Sequence, residues 1–75
     1  MTIEANQPGV QFYCGKYLDG SLVGKAGLRY QQYGGLCLET QAFPNAINIP
    51  AWRDQVILAP GQAYEHRMVH RFSTD

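Results

Sequence analysis

Apolar and polar side chains alternate with a period of two in three separate stretches of this chain. Val10, Phe12 and Cys14 alternate with Gln11 and Tyr13, Leu36 and Leu38 alternate with Cys37, Glu39 and Gln41, and Tyr64, His66, Met68, His70 and Phe72 alternate with Glu65, Arg67, Val69 and Arg71. Successive side chains of a strand leave opposite faces, so each stretch predicts a strand with one core face and one polar face. A fourth strand is predicted over Thr2 to Ala5, closed by the turn cluster Asn6-Gln7-Pro8-Gly9, whose proline and glycine preset the backbone angles of a reversal. Val56 to Leu58 predicts a short fifth strand, ended by Pro60-Gly61. No segment keeps a helical period for more than two turns, so the expected class is all-β with an antiparallel sheet.

Two stretches lack such a pattern. Gly15 to Gly35 holds six glycines and an Asp19-Gly20 turn pair, with no sustained apolar period. It is expected to lack regular structure, and a loop of that length in a small domain is a candidate lid or partner contact. Between Phe43 and Trp52 stand Pro44 and Pro50; each removes a ladder donor, so an irregular connection is expected there.

With 75 residues, 45% hydrophobic and 16% charged, residues 1–75 are expected to form a single unit. A chain this short buries only about 60% of the surface its unfolded form exposes, so help from a partner chain is expected. Six basic residues balance six acidic ones and no two basic residues are adjacent, which excludes the positive stripe of a nucleic-acid binder. The longest apolar runs fall far short of the ~20 residues that span a bilayer. Cys14 and Cys37 form neither a dense framework nor a CxxC pair and are expected as free thiols in a reducing, cytoplasmic setting.

Several constellations have residue types that can carry chemistry. His66 and His70 have the spacing of two metal ligands on a helix, but on a strand residues four apart lie about 13 Å from each other, so no metal is expected and both are read as imidazoles on a partly buried sheet face. The run from Gly20 to Ala26, GSLVGKA, has three residues between its glycines where a phosphate loop needs four, and Ala26 in place of the magnesium-binding hydroxyl. Cys37 has an acid as its neighbour on the same face, which disfavours a thiolate; it is expected to be a small core residue. Glu39 leaves the face opposite Leu36 and Leu38, where a carboxylate either lines a cleft or is simply a hydrogen-bonded or solvated sheet residue.

The order of motifs decides more than any of these alone. QPGVQFY (Gln7 to Tyr13), Leu18-Asp19-Gly20, Gly24-Lys25, GLCLETQ (Gly35 to Gln41), Phe43-Pro44, Ala46, Asn48, Pro50 and Leu58-x-Pro60-Gly61 follow one another as in the last quarter of the aldose 1-epimerases, the sugar mutarotase family. The chain resembles the C-terminal segment of that family from Gln7 to Phe72. The resemblance implies a fragment of a large antiparallel β-supersandwich that holds an aldohexose such as galactose or glucose in an open groove, with no cofactor and no metal. It places the catalytic general base on Glu39 and a sugar contact on Gln11. Tyr13, Phe43 and Trp52 are candidate aromatic borders of the groove.

The family's acid histidine, with a second histidine, an arginine and an aspartate, comes from upstream regions, and those roles are not carried onto His66 or His70. The chain is therefore expected to be incomplete as an enzyme by itself. Its expected partner is the missing N-terminal portion or a second copy in a homo-oligomer. A catalytically inactive carbohydrate-binding or self-assembling β module is the alternative.

Overall fold

In the computed structural model, which describes residues 1–74, four short strands pair into two antiparallel ribbons. β1 (Thr2–Ala5) pairs with β4 (Met68–Arg71), and β2 (Gly9–Tyr13) pairs with β3 (Cys37–Gln41). The architecture is all-β. The only other elements among the described residues are 3-10 turns at Lys25–Gly27, Ala46–Asn48 and Arg53–Val56.

The register of the second ribbon keeps the alternation of both strands in phase. Gly9 opposes Gln41, Gln11 opposes Glu39 and Tyr13 opposes Cys37 on one face; Val10 opposes Thr40 and Phe12 opposes Leu38 on the other. Any one-residue slip would bring the apolar set onto the polar face. The two faces expected from sequence are thus present, but the apolar one is not a core. Val10 is 60% and Phe12 57% exposed, because nothing within the described residues covers them. Cys37, expected as a small core residue, is likewise exposed, and both cysteines are free.

Burial is confined to few places. Ala46 is 3% exposed where the turn around it packs down, and Thr40, at 9%, is the buried polar residue. The radius of gyration is 16.8 Å, against about 11 Å for a compact domain of this length. The accessible area is 6406 Å², against about 4,600 Å² for a compact chain of this mass. Both measures describe a piece of sheet that lacks the layer it should pack on.

The glycine-rich stretch holds no strand, as its pattern predicts, yet its backbone is internally hydrogen-bonded. It doubles back on itself as a narrow antiparallel excursion: the Gly20 N–H donates to Tyr30 O (2.9 Å), Tyr30 N–H to Leu22 O (3.0 Å) and Gly24 N–H to Leu28 O (2.7 Å), around a Val23–Arg29 bridge. Backbone pairing suffices here without an alternating apolar pattern. At the turn into it, Asp19 Oδ1 accepts the Ser21 N–H at 2.9 Å, and its bonds to the Ser21 side chain and backbone hold the carboxyl below its ordinary value. The base is closed by Gly15, whose carbonyl accepts both Leu18 N–H (3.2 Å) and Tyr33 N–H (3.1 Å).

Two strand expectations are corrected. Val56 ends a 3-10 turn that begins at Arg53, and Ile57 and Leu58 pair with no strand. The Ala63 to Phe72 stretch is strand only over Met68–Arg71, since its partner β1 has just four residues before the Asn6 to Pro8 reversal. Asn6 extends the pairing by one step: its N–H donates to Arg67 O (3.2 Å), while its side chain accepts Arg67 N–H (2.9 Å) and donates to Glu65 O (3.1 Å).

Gly15 gives a direct test of the excursion's closure. Its φ is +74°, and a β-carbon there would lie 2.9 Å from the Gly35 carbonyl oxygen. Gly15→Ala should destabilise the closure by about 1–3 kcal/mol, read as faster amide exchange at Tyr33 with β1–β4 pairing unchanged.

Candidate functional site

Gln11, Glu39 and Tyr13, three of the residues that sequence singles out for sugar chemistry, fall on the polar face of the β2–β3 ribbon. Gln11 and Glu39 are directly opposed, which sets their β-carbons about 4.5–5.5 Å apart and lets the carboxamide and the carboxylate serve one small ligand. Both side chains are exposed. Gln11 Nε2 makes a long bond to the Phe12 carbonyl, 3.3 Å, leaving its oxygen and second N–H directed elsewhere. The two ion pairs among the described residues, Glu65 with Arg67 and Glu4 with Arg71, do not involve Glu39.

The ends of this face are aromatic. Tyr13 closes one end opposite Cys37, its hydroxyl accepting the Tyr17 N–H at 3.3 Å. At the other end Phe43 reaches back over Gly9. A β-carbon on residue 9 would project onto the same face as Gln11, and Phe43 Cδ1 lies 3.2 Å from that position. Trp52 stacks on Phe43, ring centroids 4.6 Å apart and tilted by 42°. The Pro-interrupted connection between Phe43 and Trp52 thereby acquires a role: its 3-10 turn (Ala46–Asn48) folds the chain back far enough for the two rings to meet. A glycine at the start of an otherwise alternating strand is the sequence signal for that close approach.

His66 and His70 are not brought to this face. His66 Nε2 lies 2.7 Å from Thr40 Oγ1, and Thr40 points with Val10 to the opposite side of the ribbon from Glu39. His70 lies on β4, opposite Ile3. No group of three metal-ligating side chains comes together among the described residues. Nor is any helix there long and apolar enough to cross a membrane.

The Phe43–Trp52 stack yields a clean optical test, since Trp52 is the single tryptophan. Phe43→Ala should expose the indole and shift its emission to longer wavelength. Gly9→Ala should shift it by less, because the ring need yield only a few tenths of an ångström.

The model of the aldose 1-epimerase family matches residues 1–71. The galactose mutarotases of Bos taurus and Homo sapiens are each 47% identical to the chain over 73 residues, covering 97% of this chain and 21% of theirs. The bifunctional protein GAL10 of Kluyveromyces lactis is 29% identical over 72 residues, covering 96% of this chain and 10% of its own length. The chain spans about a fifth of the length of the mutarotases it matches, and its two antiparallel ribbons are what an all-β fragment of that fold contributes. With the family model spanning nearly its whole length, the chain belongs to the aldose 1-epimerase family.

Proposed function

We propose that this chain is the base-bearing segment of a mutarotase, acting on an aldohexose such as galactose or glucose, and that it forms one unit with the remainder of the fold. The observation that carries the reading is the direct opposition of Gln11 and Glu39 on a solvent-open polar face, bordered by the Phe43–Trp52 stack. A carboxylate and a carboxamide beside apolar rings are the groups a pyranose requires: acceptors and donors for its hydroxyls, and a flat apolar surface for its C–H face.

The chemistry assigns each group a task. Glu39 takes the proton from the C1 hydroxyl as an acid elsewhere in the site delivers one to the ring oxygen. The C1–O5 bond breaks, the aldehyde turns about C1–C2, and closure from the other face returns both protons. Gln11 orients the sugar by hydrogen bonding. A positioned base contributes about 10²–10⁴-fold to such a step. The acid belongs to the remainder of the family fold, so the isolated chain holds one half of a two-proton exchange.

Anomer equilibration of freshly dissolved α-galactose, followed by polarimetry, tests this. The chain alone should give the uncatalysed rate. Mixed with a mammalian galactose mutarotase from which the homologous region has been deleted, it should restore turnover. Glu39→Gln in that mixture should lower kcat by about 10²-fold or more; unchanged turnover would remove Glu39 from the mechanism. Gln11→Ala should act mainly on KM.

A second reading rests on the open Val10 and Phe12 face. In the absence of the remainder, two copies cover that face with each other, giving a two-fold self-assembled β module. Light scattering on the chain alone should then report a dimer that dissociates when the deleted mutarotase is added; a monodisperse monomer would exclude it.

A further inference from the structure

Directly behind the polar face, the two ribbons meet at one hydroxyl. Thr40 follows Glu39 in β3 and points the opposite way, and it is the buried polar residue among the described residues. Two groups from the C-terminal stretch converge on it, and a third backs one of them. Thr40 Oγ1 lies 3.2 Å from Met68 Sδ. The same oxygen is hydrogen-bonded to His66 Nε2 at 2.7 Å. The other ring nitrogen, Nδ1, is hydrogen-bonded to the Tyr64 hydroxyl at 3.3 Å, whose ring stands edge-on to the imidazole with centroids 6.3 Å apart.

The histidine is itself clamped. Asn6 binds the carbonyl of Glu65 (3.1 Å) and the N–H of Arg67 (2.9 Å), the residues on either side of it, and Met68 begins β4 opposite Ala5. The imidazole is thus held at its backbone by the turn that leads into β2 and at its ring by Tyr64. It presents a fixed hydrogen-bonding partner to a residue one peptide bond from Glu39.

We propose that His66 is a positioning residue for the Glu39 carboxylate: through Thr40 it pins β3 from behind and fixes how far Glu39 stands out on the sugar face. This rests on the reading of Glu39 as the base. A general base must lie within hydrogen-bond reach of the proton it removes, and a displacement of about 1 Å costs on the order of 10²-fold in rate. A strand edge fastened on its rear side at the adjacent residue removes that freedom. Held through one intermediary, the carboxylate should respond as metal and catalytic ligands do to loss of their supporting hydrogen bonds, by about 10–100-fold.

The test uses the chain combined with the deleted mutarotase. Thr40→Val, which keeps the shape and removes the hydroxyl, and His66→Ala should each lower kcat per folded site by about 10–100-fold, with KM within about twofold. Thr40→Ser, and His66→Gln, whose amide stands in for Nε2, should restore most of it. The double variant Thr40→Val/His66→Ala should be no worse than either single one, as for two members of one interaction. A role in folding alone would lower the melting temperature and leave kcat per folded site unchanged, which would overturn the proposal. Glu39→Gln, run alongside, separates the two readings: if it keeps full activity the base assignment fails, whereas an inactive Glu39→Gln beside a fully active Thr40→Val sinks only the positioning role. Amide exchange on the chain alone gives a second measurement that needs no catalysis. Leu38 to Gln41 should exchange at least about tenfold faster in Thr40→Val and His66→Ala, and equal rates would also overturn the proposal.

Discussion

The pairing of β2 with β3 in a single register is the constraint on which this molecule depends. It places Gln11 against Glu39 and, by the same step, Val10 against Thr40. Because side chains alternate strictly along a strand, the polar face and the apolar face are fixed together or lost together. The pairing has to be made across residues 14–36. That segment is not a slack tether: its own cross-bonds and the closure at Gly15 bring its ends together, so the entropy of joining two distant strands is largely met inside the excursion.

What the ribbon lacks is a layer behind it. The area and the radius of gyration exceed those of a compact chain, and Val10 and Phe12 remain open to solvent. Fully covering such a side chain is worth up to about 1.5–3 kcal/mol, a substantial part of the roughly 5–15 kcal/mol margin of a domain. Hydrogen bonds at Thr40 and Asn6 fasten the two ribbons but do not replace that burial; the exposed Glu4–Arg71 pair adds little. The family relationship supplies the reason, since the chain spans only about a fifth of the mutarotases it matches.

Strands and their faces were legible because alternation is a local property that backbone geometry must obey. GVQFY and CLETQ carried their faces in their own pattern, but alternation alone leaves two-residue shifts open, so the opposition of Gln11 to Glu39 comes from the structure. Local pattern failed where structure depends on partners. The excursion over residues 15–35 is held by backbone bonds that glycine-rich sequence does not advertise. Ile57 and Leu58 look like a strand but find no neighbour. Cys37 was assigned to a core by its chemistry, although its parity with Glu39 already placed it on the open face. The bond from His66 to Thr40 spans 26 residues, and nothing in either segment points to the other. His66 lies behind β3, on the side opposite Glu39.

One strand therefore answers to two incompatible demands. On its front face the proposed site needs water-exposed polar groups that a sugar can reach, and on its back face it needs an apolar partner and a filled hydrogen-bond network. A ribbon with only half of this arrangement can hold Glu39 near its position, but the carboxylate moves with whatever movement β3 retains. Packing the remainder of the fold against Val10 and Phe12 would remove that movement at the same time as it brings in the acid. Completion of the core and completion of the site are then one event. On the proposed reading, a segment with an intact base and an intact sugar contact should stay silent until its rear face is covered.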